Sequence, residues 1–299
     1  MPRTAVLFQV HAINQEIVRR LRLLEAGMAP DMDCFLALDA TASRVRMRVS
    51  RELAREHRLF FFSRALLERL PSPRAQGQWL GRSIRPGLCD LVPQLFRRVH
   101  PEYDFVYIVE YDVLYSGDWA AFFSHFRRSE ADLLATNVAS RSELPDCVHF
   151  QGLATDRSPT PEESLRAFMP ICRYSAAALA ALEERYHRGW RGHFEVLVPT
   201  AVRDAGLRLE DFGGDGPFVA PGNRDRFYTS NRLSDHLRPG SFVLNPAPTE
   251  RPGPDRPLLL HPCKLELQLD APTLWTLLRS GPYSIRRHTL GYPQLGEAT

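Results

Sequence analysis

Lysine is almost missing from this chain. Of its 38 basic Lys and Arg residues only Lys264 is a lysine, so a site that needs a compact ammonium has one residue to draw on. A charge excess is missing too: 35 acids leave a formal net charge of +3, which gives no case for nucleic acid as a partner. Cysteine is sparse, with Cys34, Cys89, Cys147, Cys172 and Cys263 scattered and none in Cys-x-x-Cys spacing. That pattern excludes a cysteine-built zinc site and fits reduced thiols in the cytosol. Long apolar runs are lacking: no window reaches the roughly 18 residues of a transmembrane helix. The apolar run near the N-terminus is short and lacks a cleavage-like site, so it reads as a first strand and not a signal peptide. The expected location is cytoplasmic, with peripheral association at the inner face of the membrane left open. No internal repeat and no low-complexity tract is found.

What is present is an ordinary globular composition, 44% hydrophobic and 24% charged. The length of 299 residues suffices for one large core, or a core with a C-terminal elaboration. Apolar runs at 4–10 (TAVLFQV), 33–40, 58–63, 105–113 and 131–138 read as strands. Helical periodicity fills 14–27, 43–57, 87–104 and 118–128, with Asn14 placed to cap the first helix and Gly27 to end it. This alternation predicts an α/β fold with a mostly parallel central sheet flanked by helices. The segment 139–167 is polar and loop-like. A strand over 168–175 and a helix over 176–187 follow it. Residues 213–257, rich in Gly, Pro, Asn and Arg, have little periodicity, as functional or mobile segments do. A last strand is predicted over 257–267 and a C-terminal helix over 272–281.

The strand FVYIVEYDV (105–113) ends on two acids, Glu110 and Asp112. In open α/β sheets ligands bind at the carboxyl ends of the strands. Residues two apart in a strand project to the same side, so both carboxylates would face one site. Their repulsion calls for a positive partner, and a hard divalent cation, Mg²⁺ or Mn²⁺, usually brings phosphates with it. The tripeptide by itself is weak. Acid-x-Asp occurs four times, at Asp31/Asp33, Glu102/Asp104, Glu110/Asp112 and Glu130/Asp132. Only Glu110/Asp112 closes a strongly apolar strand, and a polar strand end facing solvent is the plain alternative.

The stretch GLCDLVPQLFRRVHPEYDFVYIVEYDVLYSGDWAAFF (87–123) resembles the core of the GT-A fold glycosyltransferases. In these a helix, an apolar strand, an Asp-x-Asp or Glu-x-Asp motif and a short turn lead into the next helix. The resemblance implies a GT-A-type, Rossmann-like fold over 1–299 as a single domain. Residues 1–138 would bind the nucleotide sugar and 139–267 the acceptor, with 268–299 as helix and tail. It implies Asp112 as metal ligand and Glu110 near the ribose or metal shell. The segment GWRGHFEVLVPTAVRDAGLRLEDFGG (189–214) looks like the acceptor side of inverting members, which implies Glu195 as general base; a first-turn acid favouring the helix dipole is the alternative. LLLHPCK (258–264) matches the family's late histidine and basic residue, which implies His261 as metal ligand and Lys264 at the diphosphate. His11 and Asp39, ending the first two strands, stand where such enzymes hold the nucleoside. Asp90, at a helix start, is a further cofactor-binding candidate. The arginines of 82–87 suit a diphosphate or plain solvent. His125, His187 and His193 read as surface or packing residues.

The implied reaction moves a sugar from a nucleotide-diphosphate donor to a glycan, glycolipid or small-molecule acceptor. Two rivals remain. A sugar nucleotidyltransferase would use a similar scaffold, but usually has a Gly-rich loop after its first strand, where QVHAINQE has none. A non-catalytic nucleotide-sugar-binding protein would need no base at Glu195.

Overall fold

The computed structural model describes residues 2–11, 13–40, 55–70, 89–244, 247–253 and 255–264. Strand β1 (Thr4–Val10) is followed by α1 (Gln15–Ala26), β2 (Met32–Asp39), β3 (Arg58–Phe62) and a single helical turn, α2 (Arg64–Leu67). Then come α3 (Leu91–Val99), β4 (Phe105–Glu110), the short β5 (Leu114–Tyr115), α4 (Trp119–Phe126) and β6 (Leu133–Ser140). The chain continues through β7 (Leu165–Ser175), α5 (Ala176–His187), α6 (Phe194–Asp204), β8 (Leu209–Asp211) and β9 (Leu259–Leu260). Seven strands form one sheet in the order β3-β2-β1-β4-β7-β6-β8. All its neighbours pair in parallel except β7, which runs antiparallel to both β4 and β6. This is the expected mostly parallel α/β sheet of Rossmann-like type.

Period-2 alternation divides the core into two layers. Ala5 and Leu7 face one side, with Phe96 of α3, Leu182 of α5 and Val198 of α6. Val6 and Phe8 face the other, with Leu21 of α1 and Phe122 and Phe123 of α4. Asn14 caps α1 as expected, its Oδ1 accepting from the Ile17 N–H at 2.8 Å.

Several expectations change. Of the last strand predicted over 257–267, the described residues 257–264 form only the two-residue β9, paired antiparallel with β5 outside the main sheet, and 265–267 lie outside the described residues. The irregular 213–243 stretch is not loosely attached: Phe227, Tyr228, Leu237, Phe242 and Val243 are buried in the α1/α4 layer. Scattered aromatic anchors fix it where periodicity gives no sign. β7 begins three residues earlier than predicted. Residues 55–57 are not helical; the rest of the helix expected over 43–57, the arginines of 82–87 and the helix at 272–281 lie outside the described residues. No described helix is long and apolar enough to cross a membrane.

Candidate metal and transfer site

β4 delivers Glu110 to the carboxyl edge of the sheet, in register with Gln9 of β1. The strand stops there. Tyr111 donates its N–H to Gln9 O at 3.1 Å, and Val113 donates to Glu110 O at 3.0 Å, closing a turn. Glu110 and Asp112 therefore converge through this turn, not through strand alternation as their spacing suggests.

The late segment reaches the same turn. Ser116 N–H donates to Leu258 O at 3.0 Å, and Leu258 N–H to Ser116 Oγ at 2.8 Å. Gly117 permits the close approach, because a Cβ there would stand 2.6 Å from Pro257 Cβ. Cys263 N–H donates to Asp112 O at 2.8 Å. Buried Arg20 of α1 ties both segments: one terminal nitrogen donates to Tyr111 O at 2.8 Å and to Cys263 O at 3.1 Å, while its Nε holds Glu16 at 2.9 Å. Arg20→Met is expected to loosen both segments at once, lowering stability by about 1–3 kcal/mol. Mn²⁺ affinity should fall about tenfold, at roughly 1.4 kcal/mol per tenfold step. Urea unfolding and calorimetric Mn²⁺ titration check the pair; unchanged Mn²⁺ affinity would remove Arg20 from the site's support.

The result is a cluster drawn from residues about 150 apart in sequence. One ligand atom each from Glu110, Asp112 and His261 lies within 4.8 Å of the others. Asp112 is 1% exposed, and its Oδ1 is sealed from solvent with no hydrogen-bond partner. His261 Nε2 stands 3.6 Å from that oxygen. The other ring nitrogen, Nδ1, lies 2.8 Å from the Val243 carbonyl, to which only an N–H can bond. This fixes the tautomer and leaves the Nε2 lone pair facing Asp112. Burial lowers the His261 pKa and so favours the neutral, ligating form. Lys264 Nζ donates to Asp112 Oδ2 at 2.6 Å. Burial, then the Asp112 charge, pushes Glu110 up to about 8, with Lys264 pulling the other way. Two carboxylates and one neutral imidazole, with an orphaned buried oxygen between them, fit a divalent cation such as Mn²⁺.

The other sequence candidates divide. Tyr111 carries His11 edge-on against its ring, centroids 4.7 Å apart, and Lys264 Nζ 5.6 Å from its centroid, so His11 borders the cluster. Asp39 ends β2 beside Phe62 of β3, at the same sheet edge but two strands from β4. Asp90 is buried and accepts the Tyr186 hydroxyl of α5. His125 packs on Phe227 and bonds Asn223 at 2.7 Å, and His187 is exposed at the end of α5, both as expected.

Glu195 opens α6 and is 6% exposed. Burial pushes its carboxyl up to about 7, while the Arg166 charge and the Met169 N–H pull it down. Its charge in turn raises Glu110. His193 packs, as one of the two expected alternatives, and also caps α6, accepting the Glu195 N–H at Nδ1 over 3.3 Å. Its ring stacks on His149, centroids 3.8 Å apart and 15° from parallel. Both imidazoles face the acid, with His193 Nδ1 at 3.8 Å and His149 Nε2 at 3.9 Å from Glu195 Oε2. His149, on a short 3₁₀ helix (Val148–Gly152), escaped notice because the polar 139–167 stretch carries no pattern.

No protein-family model and no curated protein matches this chain. Among solved structures it is similar to apo xyloside xylosyltransferase 1 from mouse, at 14% identity and TM-score 0.37 over 70% of this chain and 84% of that one. It is also similar to 4-diphosphocytidyl-2C-methyl-D-erythritol synthase from Anaerococcus prevotii, at 9% identity and TM-score 0.40 over 73% and 91%. A third likeness is to a structure described as a glucose-1-phosphate thymidylyltransferase from Bacillus anthracis, in complex with sucrose, at 8% and 0.39 over 70% and 86%. The likeness is loose, and no residue role follows from it.

Proposed function

We propose that the protein is a metal-dependent glycosyltransferase that moves a sugar from a nucleotide-diphosphate donor to a glycan, glycolipid or small-molecule acceptor, with inversion. The observation that carries this reading is the sealed Asp112 Oδ1, faced by His261 Nε2 at 3.6 Å, with Lys264 on the other oxygen.

Asp112, Glu110 and His261 would hold the divalent cation, which when bound supplies Lewis-acid charge to the departing nucleoside diphosphate. Lys264, its side chain half exposed, offers an ammonium to a phosphate oxygen. Glu195 takes the proton of the acceptor hydroxyl as that oxygen bonds to the anomeric carbon and the bond from carbon to donor phosphate oxygen breaks. A base held near pH 7 is matched to that work. The same buried acid weighs against a sugar nucleotidyltransferase and against a purely binding role, neither of which needs a base at this position.

A thermal-shift panel of sugar nucleotides tests the reading. With Mn²⁺ present, one donor class at a hundredfold excess over its Kd should add about 2.7 kcal/mol of apparent stability, a shift of several degrees. Without metal the shift should largely vanish. A panel in which no sugar nucleotide raises the melting temperature would contradict the proposal.

A further inference from the structure

Lys264 is the only lysine among the 299 residues, and its Nζ donates to Asp112 Oδ2 at 2.6 Å. The two partners differ in their freedom to move. The Asp112 side chain is 2% exposed, that of Lys264 52%. The root of the lysine is held by its neighbour: Cys263 N–H donates to Asp112 O, and Cys263 O accepts from Arg20. Beyond that root the flexible four-carbon stem can swing, whereas the buried carboxylate cannot.

The ammonium takes one oxygen of the carboxylate. The other, Oδ1, is sealed, has no hydrogen-bond partner and faces His261 Nε2 at 3.6 Å. A compact point charge balances a carboxylate through a single oxygen, where a guanidinium fork would span both. Lysine at this position therefore offsets the buried Asp112 charge and leaves Oδ1 for a cation. A divalent ion bonded to Oδ1 at about 2.1 Å would stand on the order of 5 Å from Nζ. Like charges that close repel strongly when partly buried. Ammonium and ion thus compete for one carboxylate. A diphosphate bound to the ion relieves the competition, because its oxygens accept the displaced ammonium.

We propose that Lys264 is an exchangeable counter-ion, which balances Asp112 until a divalent cation binds and then moves to the donor diphosphate. This rests on the reading of Asp112, Glu110 and His261 as the cation's ligands. Through the lysine, cation and diphosphate raise each other's affinity by the same factor, as linkage requires. The cation alone then binds weakly, and cation and donor load together.

The solitary lysine makes the test direct: lysine labelled with ¹³C at Cε gives one side-chain NMR signal from the full chain. Diamagnetic Mg²⁺ should turn that signal from restrained to mobile in relaxation measurements. Pyrophosphate added with Mg²⁺ should restrain it again. Calorimetric Mn²⁺ titration at pH 8 reads the competition. Lys264→Met should bind Mn²⁺ about tenfold more tightly than the unaltered protein, and Lys264→Arg about tenfold more weakly because its fork engages both oxygens. Pyrophosphate binding at saturating Mn²⁺ should weaken about tenfold in Lys264→Met. Should Lys264→Met fail to fold, the labelled unaltered protein and Lys264→Arg decide. Metal binding that leaves the lysine signal unmoved would overturn the proposal while leaving the metal site standing. So would a Mn²⁺ affinity that is equal or lower in a folded Lys264→Met, or not lowered in Lys264→Arg. No binding of Mg²⁺ or Mn²⁺ to the unaltered protein would overturn it together with the metal-dependent reading.

Discussion

Asp112→Asn is expected to lower metal-dependent turnover about a thousandfold, the scale of losing several kcal/mol of charge stabilisation. The fold should survive. Asn keeps the volume and can still accept from Lys264, and the backbone bond from Cys263 N–H to Asp112 O is untouched. The change falls on Oδ1, which is sealed, without a hydrogen bond, and 3.6 Å from His261 Nε2. A neutral amide there removes the charge that offsets the desolvation of a cation. Turnover measured against Mn²⁺ concentration, with circular dichroism as the folding control, checks it. Wild-type turnover with wild-type metal dependence would remove Asp112 from the site.

Glu195→Gln should cost about 10²–10⁴ in transfer rate, as loss of a general base does, with donor affinity little changed. The wild-type rate should rise from pH 6 to pH 8 with a midpoint near 7, because the carboxyl is pushed up to about 7 and only its ionised form accepts a proton. The Gln variant should lack that limb. Stability should move the opposite way. An ordinary glutamate ionises near 4.5, so between 4.5 and 7 the unfolded chain releases a proton that the folded chain retains. The cost of burying Glu195 is therefore absent at low pH, grows as pH rises through this window, and is complete above pH 7. The size is on the order of 3 kcal/mol, and the Gln variant escapes it. Urea unfolding at pH 4.5 and pH 8 should show the variant gaining stability only at the higher pH. A variant with near-normal transfer, or with no pH-dependent gain, would refute the base.

Much of the scaffold is legible in the sequence because its signals are local. TAVLFQV and FVYIVE are apolar runs sealed on both faces, and they form the neighbouring β1 and β4. Asn14 is a cap by residue type and position. Glu110, Asp112, His261 and Lys264 stand out by chemistry at the ends of apolar runs. The rest depends on tertiary contacts that no spacing encodes. Nothing local says that β7 enters the sheet antiparallel, or that β9 shrinks to two residues and pairs with β5. Arg20 lies among the arginines of an amphipathic helix, and its role as a clamp appears only when α1 packs against both site segments. His149 and His193 are separated by more than forty residues, so their stack beside Glu195 has no sequence signature. Arg166 is hidden for another reason: it falls at the end of the polar 139–167 stretch, and only the earlier start of β7 at Leu165 buries it in the sheet.

The most direct measurement is an anomalous difference map from crystals grown with Mn²⁺ and a nucleoside diphosphate. The predicted result is one manganese peak within about 2.0–2.6 Å of a carboxylate oxygen of Asp112 and of His261 Nε2, with the diphosphate bound to the ion and next to Lys264. No peak at that position in crystals that hold the nucleotide, or a peak confined to His149, His193 and Glu195, would contradict the metal-dependent reading of Asp112 and His261.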